Sequence, residues 1–254
     1  MKKISNVFVC IILMLMPCFA IAEDHIVLKE MYWPFEGMFG SVDRQAAQRG
    51  FQVYKEVCAV CHSMNQLSYR NLKNLGFSDE EIKELASSVT VKDGPNDQGD
   101  MFDRPGLPYD KFVSPFANDN AARAANNGAL PVDLSLIIKA RGDGANYVYS
   151  LLTGYQDAPE GFEMMPGLTY NHYFPGYQIA MPSPLSDDIV NYSDGTNATI
   201  DQMARDVVIF LQWAAEPEME ARKAMGLKVI LFLMAFTIVF YIAKKRIWSG
   251  LKKD

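Results

Sequence analysis

The run Cys58-Ala59-Val60-Cys61-His62 constrains this chain more than any other feature of its sequence. A Cys-x-x-Cys-His pattern is typical of covalent attachment of a c-type haem. The two thiols can add to the haem vinyl groups, and the histidine that follows can bind the iron from one face. The pattern therefore predicts one covalently bound haem c, held by Cys58 and Cys61, with His62 as the proximal iron ligand.

Two other chemistries use a Cys-x-x-Cys pair, namely a thiol–disulfide redox centre and half of a zinc site. Zinc would need further Cys or His ligands, but the sequence has no second Cys-x-x-Cys. Its other cysteines, Cys10 and Cys18, lie in an N-terminal apolar segment. A redox dithiol would be expected after a strand of a βαβ unit, a pattern that this sequence does not show. The haem interpretation is therefore preferred.

The N-terminal segment has the pattern of an export signal. Lys2 and Lys3 precede an apolar run that ends in Ala20-Ile21-Ala22, a small-residue cleavage pattern. We predict a signal peptide over residues 1–22, whose removal would leave the two cysteines of the haem motif as the only thiols. Export across a bacterial inner membrane agrees with the haem prediction, because haem is attached to c-type cytochromes on the outer side of that membrane.

A second apolar run lies near the C-terminus. It covers residues 227–243 and is interrupted only by Lys228 and Thr237, and its length is at the short end of what crosses a bilayer. Basic residues are concentrated after it, which predicts a cytoplasmic C-terminus. The chain is thus divided into a signal peptide (1–22), a periplasmic cytochrome domain (23–224), a transmembrane helix (225–244) and a short cytoplasmic tail (245–254).

The segment between the two apolar runs is acidic. Residues 23–226 contain 16 Lys and Arg against 29 Asp and Glu, a formal charge of −13. Such a charge disfavours nucleic acid and anionic lipid, and it can steer a basic protein partner toward the domain. The segment is also long enough to form one large domain with its own hydrophobic core.

The spacing of apolar residues predicts the main helices. We expect helices over residues 43–57 and 199–215, with Gly50 allowing the second to cross the first closely. An N-terminal helix that leads into the haem motif and crosses a C-terminal aromatic helix is the arrangement of class I cytochromes c. Shorter helices are expected over 78–88, 133–139 and 146–153. The predicted fold class is mainly α, a class I cytochrome c-like domain with long loop insertions plus one C-terminal transmembrane helix.

A sixth ligand for the iron is expected opposite the proximal histidine. Among the methionines after the motif, Met64 is too close to His62 to reach the opposite haem face, and others lie on the packing face of the C-terminal helix or at the membrane anchor. The candidates that remain are Met101, Met164, Met165 and Met181, with His172 and His25 as possible histidine ligands. Met181 precedes two prolines that stiffen its loop, and it lies shortly before the C-terminal helix, as the sixth ligand of a class I cytochrome does. Methionine ligation would raise the reduction potential, whereas a second histidine would give a lower one.

Several longer segments carry a more specific signal than the haem motif alone. They are Trp33-Pro34-Phe35-Glu36-Gly37, 50–64, 101–106, 124–131, 143–155, 173–176 and Met181-Pro182. Together they resemble the cytochrome c1 family, the haem subunits of cytochrome bc1 complexes. The resemblance extends from about Trp33 to the C-terminal apolar run.

The resemblance implies roles for individual residues. By resemblance, Cys58 and Cys61 would bind the haem covalently and His62 would be the proximal ligand. Met181 would be the distal ligand. Arg141 resembles the family's basic residue near a haem propionate, although a solvated surface charge explains it equally well. Tyr147 would lie near the same edge of the haem.

The function that the resemblance implies is one-electron transfer in a respiratory bc1 complex. Electrons would arrive from a Rieske iron–sulfur protein and leave to a cytochrome c, while quinol oxidation would belong to a neighbouring cytochrome b. The alternative is a stand-alone, membrane-anchored cytochrome c that serves a terminal oxidase, and a third class is a haem module that binds a small gas. The sequence shows no catalytic triad, phosphate-binding loop or general acid–base pair, so no chemistry beyond haem redox is expected.

Overall fold

The computed structural model describes residues 26–250, so the predicted signal peptide, His25 and the end of the predicted tail lie outside the described residues. The helices are α1 (Arg44–Glu56), α2 (Asp79–Ser87), α3 (Asp119–Ala125), α4 (Gly144–Leu152), α5 (Ile200–Ala215) and α6 (Met219–Trp248). Two 3-10 segments cover Cys58–Val60 and Tyr69–Leu75. Two antiparallel hairpins pair β1 (Thr90–Asp93) with β2 (Phe102–Pro105) and β3 (Thr169–Tyr170) with β4 (Gln178–Ile179). The predicted mainly α fold is confirmed.

Helix α1 begins directly after its N-cap residue, Asp43. The Asp43 carboxylate accepts hydrogen bonds from the backbone N–H groups of Gln45 and Ala46, which would otherwise have no partner in the first turn. The buried face of the helix includes Ala47, which has no exposed surface, and Phe51, which is 6% exposed. This face joins the main hydrophobic core, so the predicted helix is confirmed.

Helix α5 crosses α1 at Gly50. A Cβ atom added at Gly50 would lie 2.0 Å from the backbone oxygen of Asp206 and 2.8 Å from the Cβ of Phe210. Only glycine allows the two backbones to approach this closely. The predicted close crossing is therefore confirmed, and it fixes the end of α1 that leads into the Cys-x-x-Cys-His run.

A Gly50→Ala substitution is expected to force the two helices apart. Over-packing of a filled core typically costs about 1–3 kcal/mol, and here the nearest atom belongs to the backbone of α5 rather than to a flexible side chain. Thermal unfolding of the purified chain, followed by circular dichroism, measures the change. Gly142→Ala is the matched control, because a Cβ there meets no atom within 4 Å. Equal stability of the two variants would contradict the close crossing.

The segment predicted as a helix over 133–139 forms consecutive turns instead, so this prediction was wrong. The Asp133 carboxylate accepts a hydrogen bond from the backbone N–H of Ser135 and two more from Ser63 and Asn65. Aspartate side chains that bind nearby backbone groups in this way compete with helix formation. The same contacts fasten the segment to the residues that follow His62.

The long loops hold more structure than their composition predicted. Residues 90–120 contain the β1–β2 hairpin and the start of α3, and 154–198 contain the β3–β4 hairpin. Arg104 on β2 holds the first of these regions together, because its guanidinium binds the carboxylates of both Asp93 and Asp110.

The helix predicted over 146–153 begins two residues earlier, at Gly144.

Helix α6 is long and apolar enough to cross a membrane. It starts at Met219, whose side chain is buried in the domain, six residues before the predicted span of 225–244, and it ends at Trp248. Thirty residues of α-helix extend about 45 Å, which exceeds the hydrocarbon thickness of a bilayer. From Leu227 onward its large apolar side chains are exposed, so the structure offers them no protein partner among the described residues.

Candidate functional site

The Cys-x-x-Cys-His run folds into one tight turn directly after α1. Val57 ends the helix, and residues Cys58–Val60 continue as a single 3-10 turn. The backbone N–H groups of Cys61 and His62 both donate to the carbonyl of Cys58, at 3.1 and 2.9 Å. Both cysteines are free thiols, and burial raises the pKa of Cys58 to about 12. The turn therefore presents two thiols and one imidazole as a compact donor set.

The His62 ring is held in a single orientation. Its Nδ1 atom lies 2.7 Å from the carbonyl oxygen of Val132. A carbonyl oxygen only accepts hydrogen bonds, so Nδ1 carries the proton and Nε2 is left with a free lone pair. Burial lowers the pKa of His62, although this hydrogen bond and the nearby Asp133 carboxylate act in the opposite direction. A neutral imidazole with a fixed tautomer is the form that binds a metal.

A second layer of contacts holds Val132 in place. The backbone N–H of Leu134 donates to the carbonyl of Ser63 at 2.9 Å. The Asp133 carboxylate accepts from the Ser63 hydroxyl and from the Asn65 backbone, both at 2.8 Å. Sequence reasoning assigned no role to Val132. It lies 70 residues from His62, and its contribution is a backbone carbonyl, which any residue type could supply.

Arg141 lies on the surface near this layer. Its guanidinium donates to the carbonyl of the adjacent Ala140 at 3.1 Å, and it lines a groove whose wall includes Val132 and Asp133. Arg141 therefore stands on the His62 side of the domain and is exposed. This position is compatible with both interpretations that the sequence left open, a charge near a haem propionate and a solvated surface charge.

Met181 is held in its loop by Tyr155. The Tyr155 hydroxyl donates to the carbonyl of Met181 at 3.1 Å. Tyr155 follows α4 and forms a β-bridge with Asn171, a fully buried residue whose amide donates to the carbonyl of Leu151 at 2.8 Å. The Met181 backbone is thus tied to the end of α4. Sequence reasoning did not single out Tyr155, although it lies in a segment that carried the family resemblance.

Tyr147 lies near Tyr155, the residue that holds the Met181 backbone. Burial raises the pKa of Tyr155, and the neighbouring Tyr147 phenol raises it further. Tyr147 and Cys58 pack against the same hydrophobic core. No hydrogen bond among residues 26–250 joins Met181 to the His62 turn, and the described contacts do not bring these two proposed ligands together directly.

Most of the other candidates for a sixth ligand have exposed side chains. Met101 and Met165 are 57% and 60% exposed, and His172 is exposed as well. Met164 is half-buried. Within the described residues, no group of three or more His, Cys, Asp and Glu side chains is arranged to hold a bare metal ion.

A helical domain with a Cys-x-x-Cys-His turn after its first long helix, followed by a long apolar helix, defines the class of membrane-attached c-type cytochromes. The sequence profile of the Cytochrome C1 family matches residues 33–251. The chain belongs to the cytochrome c1 family, whose members are haem-carrying electron-transfer subunits of the bc1 complex.

Three relatives show how far the similarity extends. The chain is 51% identical over 246 residues to cytochrome c1 of Rhodospirillum rubrum, which covers 91% of this chain and 90% of the relative. It is 52% identical over 232 residues to a mitochondrial cytochrome c1 heme protein of Arabidopsis thaliana, covering 91% and 75%. It is 48% identical over 239 residues to cytochrome b/c1 of Bradyrhizobium diazoefficiens, covering 85% of this chain and 35% of that longer protein. The bacterial relatives and helix α6 indicate a membrane protein.

Proposed function

We propose that this chain takes single electrons from a Rieske iron–sulfur protein and delivers them to a cytochrome c, as the haem subunit of a respiratory bc1 complex. The observation that carries this proposal is the Cys58–His62 turn, where Val132 holds the imidazole with Nε2 available for iron. Family membership supports the bc1 complex as the setting. The proposal goes beyond family membership in two respects, the route of the electrons and the identity of the two partner proteins.

The donor set of the turn fits one c-type haem. Cys58 and Cys61 would form the thioether links, His62 would bind iron through Nε2, and Met181 would bind it through sulfur. When bound, haem supplies reversible one-electron chemistry, and a His/Met pair favours a high reduction potential. The chain's own residues then orient the ligands: Val132 fixes the histidine tautomer, and Tyr155 holds the Met181 backbone. We assign Arg141 and Tyr147 to the propionate edge.

The proposed membrane topology follows from the two apolar segments. Residues 1–22 would be a cleaved signal, 23–224 the periplasmic haem domain, 225–244 the membrane-spanning part of α6, and 245–254 a cytoplasmic tail. Lys244 is the last residue of the span and Lys245 and Arg246 follow it, and the positive-inside rule supports a cytoplasmic location for them. In this arrangement cytochrome b is the membrane partner, and the acidic domain faces the compartment of a soluble, basic electron acceptor.

Purification of the tagged full-length chain from its own membranes tests the proposal. We expect haem c, b-type haem and the Rieske cluster to purify together, and quinol to reduce the c-type haem. Reduction of an added basic cytochrome c should slow as ionic strength rises, since salt screens attraction between exposed charges. A chain that purifies without both partners and passes electrons directly to a terminal oxidase would support the stand-alone alternative instead.

A Tyr155→Phe substitution is expected to loosen Met181 without removing it. Loss of the hydrogen bond to the Met181 carbonyl costs about 0.5–1.5 kcal/mol, and the methionine sulfur then yields more readily to an external ligand. Carbon monoxide binding to the ferrous protein should increase, and the reduction potential should fall slightly. Tyr109→Phe is the control, because that side chain is 58% exposed. Unchanged carbon monoxide binding in Tyr155→Phe would contradict a positioning role.

A further inference from the structure

The segment 34–41 forms a tight loop against the first turns of α6. The backbone N–H of Ser41 donates to the carbonyl of Pro34 at 2.9 Å and closes the loop. A Cβ atom on Gly40 would lie 1.9 Å from the carbonyl oxygen of Glu36, so only glycine permits this closure. We call residues 36–40 the tip loop. The hydrogen bond between Ser41 and Pro34 and the tight approach at Gly40 define the closed base of this loop.

Two side chains of α6, those of Glu220 and Lys223, attach this loop to the helix. The Val42 backbone N–H donates to the Glu220 carboxylate at 2.9 Å. The Lys223 ammonium donates to the carbonyls of Phe35 and Gly40, at 2.7 and 3.0 Å. Lys223 is about 4.5 Å further along the helix axis than Glu220, toward the apolar segment. The loop is thus attached to α6 at two levels, and Gly40, the last residue of the tip loop, is attached at the level nearer the apolar segment.

The tip carries two adjacent, large apolar side chains. Met38 is 60% exposed and Phe39 is 83% exposed. Single exposed apolar residues are common on protein surfaces, but these two are neighbours on a loop that is closed at its base. They lie beside the last charged turn of α6 before its apolar segment begins at Leu227. Exposed apolar groups in such a place mark a contact with a membrane or with another protein.

We propose that Met38 and Phe39 insert into the outer interfacial layer of the bilayer and form a second membrane contact beside α6. Continuity with the apolar surface of α6 favours lipid as the occupant, because that surface is exposed from Leu227 onward. Arg222, which binds Glu216, and Lys223, which is held by the loop carbonyls, are the last charged residues of α6 before its apolar segment and mark the expected level of the interface. The contact would fix the orientation of the haem domain on the membrane. This inference rests on the proposed membrane span of α6.

Nitroxide labels on the full-length chain in its complex, reconstituted in phosphatidylcholine–phosphatidylglycerol vesicles, test the proposal. Phe39→Cys probes the tip, Phe236→Cys probes the middle of α6, and Tyr109→Cys probes an exposed site of the domain. The readout is the ratio of collision rates with oxygen, which partitions into lipid, and with a water-soluble nickel complex. We expect a severalfold higher ratio at Phe39 than at Tyr109, between the values at Tyr109 and Phe236.

The remaining outcomes overturn the inference in distinguishable ways. A mobile label at Phe39 with the ratio of Tyr109 would place the tip in water. A label at Phe39 that is immobile and shielded from both reagents would show that a protein partner covers the tip. If the label at Phe236 also has the ratio of Tyr109, the membrane span of α6 is wrong, and the inference fails together with it. A Met38→Cys label repeats the measurement at the neighbouring position.

Discussion

A Met181→Leu substitution is expected to lower the reduction potential of the haem and to remove the spectroscopic signature of methionine ligation. Axial ligands set haem potentials over a range of about 0.8 V, and methionine stabilises the ferrous form relative to a weaker or absent ligand. The expected fall is therefore on the order of a few hundred millivolts. Potentiometric titration measures it, and the long-wavelength charge-transfer band of the ferric protein reports whether sulfur is still bound.

Met165→Leu is the matched control for this substitution. Met165 lies in the same long loop region, and its backbone N–H donates to the Gln178 side chain at 2.7 Å, but its side chain is 60% exposed. Its potential and charge-transfer band should match those of the unchanged protein. The assignment of Met181 fails if Met181→Leu keeps the charge-transfer band and the potential. If Met165→Leu then loses the band, the sixth ligand is Met165 instead.

Helices α1, α2, α4 and α5 could be predicted from local sequence because their determinants are local, whereas α3 was not expected. Asp43, Ser78 and Thr199 each accept hydrogen bonds from the first turn of the helix that follows. The apolar spacing of α1 and α5 marks the faces that pack together, and Gly50 marks the point where they cross. The haem-attachment role of the Cys58–His62 run could also be predicted from the sequence, because a c-type haem needs those residue types at that spacing.

The supporting parts of the candidate site could not be predicted in this way. Val132 acts through its carbonyl, so its residue type carries no signal. The failed helix over 133–139 has the same origin, since Asp133 binds groups near His62 that are distant in sequence. Tyr155 is one of several aromatic residues in its region, and only the fold shows that its hydroxyl reaches Met181.

A charged pair inside the α1–α5 contact shows the same dependence on the fold. Arg49 on α1 binds the Asp206 carboxylate on α5 through two hydrogen bonds, at 2.8 and 3.0 Å. The Asp206 side chain is 1% exposed and that of Arg49 is 18% exposed. Neither residue was singled out from the sequence, because one charged residue on each of two helices predicts only solvated faces.

An Asp206→Ala substitution is expected to destabilise the domain strongly, because it leaves the Arg49 guanidinium without its buried partner. Removing one member of a buried ion pair costs about 3–5 kcal/mol, which lowers the Tm of a domain of this size by about 6–20 °C. Asp194→Ala is the matched control: Asp194 binds the same guanidinium at 3.0 Å, but its side chain is 44% exposed. Its loss should lower the Tm far less, since water can replace it.

A double substitution separates the cost of the unpaired charge from the cost of lost packing. Arg49→Met combined with Asp206→Leu removes both charges and keeps apolar volume at the crossing, and such replacements are often neutral or stabilising. We expect the double variant to recover much of the Tm lost in Asp206→Ala. If it is as unstable as the single variant, the pair contributes through geometry that apolar side chains cannot reproduce. If Asp206→Ala and Asp194→Ala have the same Tm, the carboxylate at 206 is not the buried partner that fixes α1 against α5.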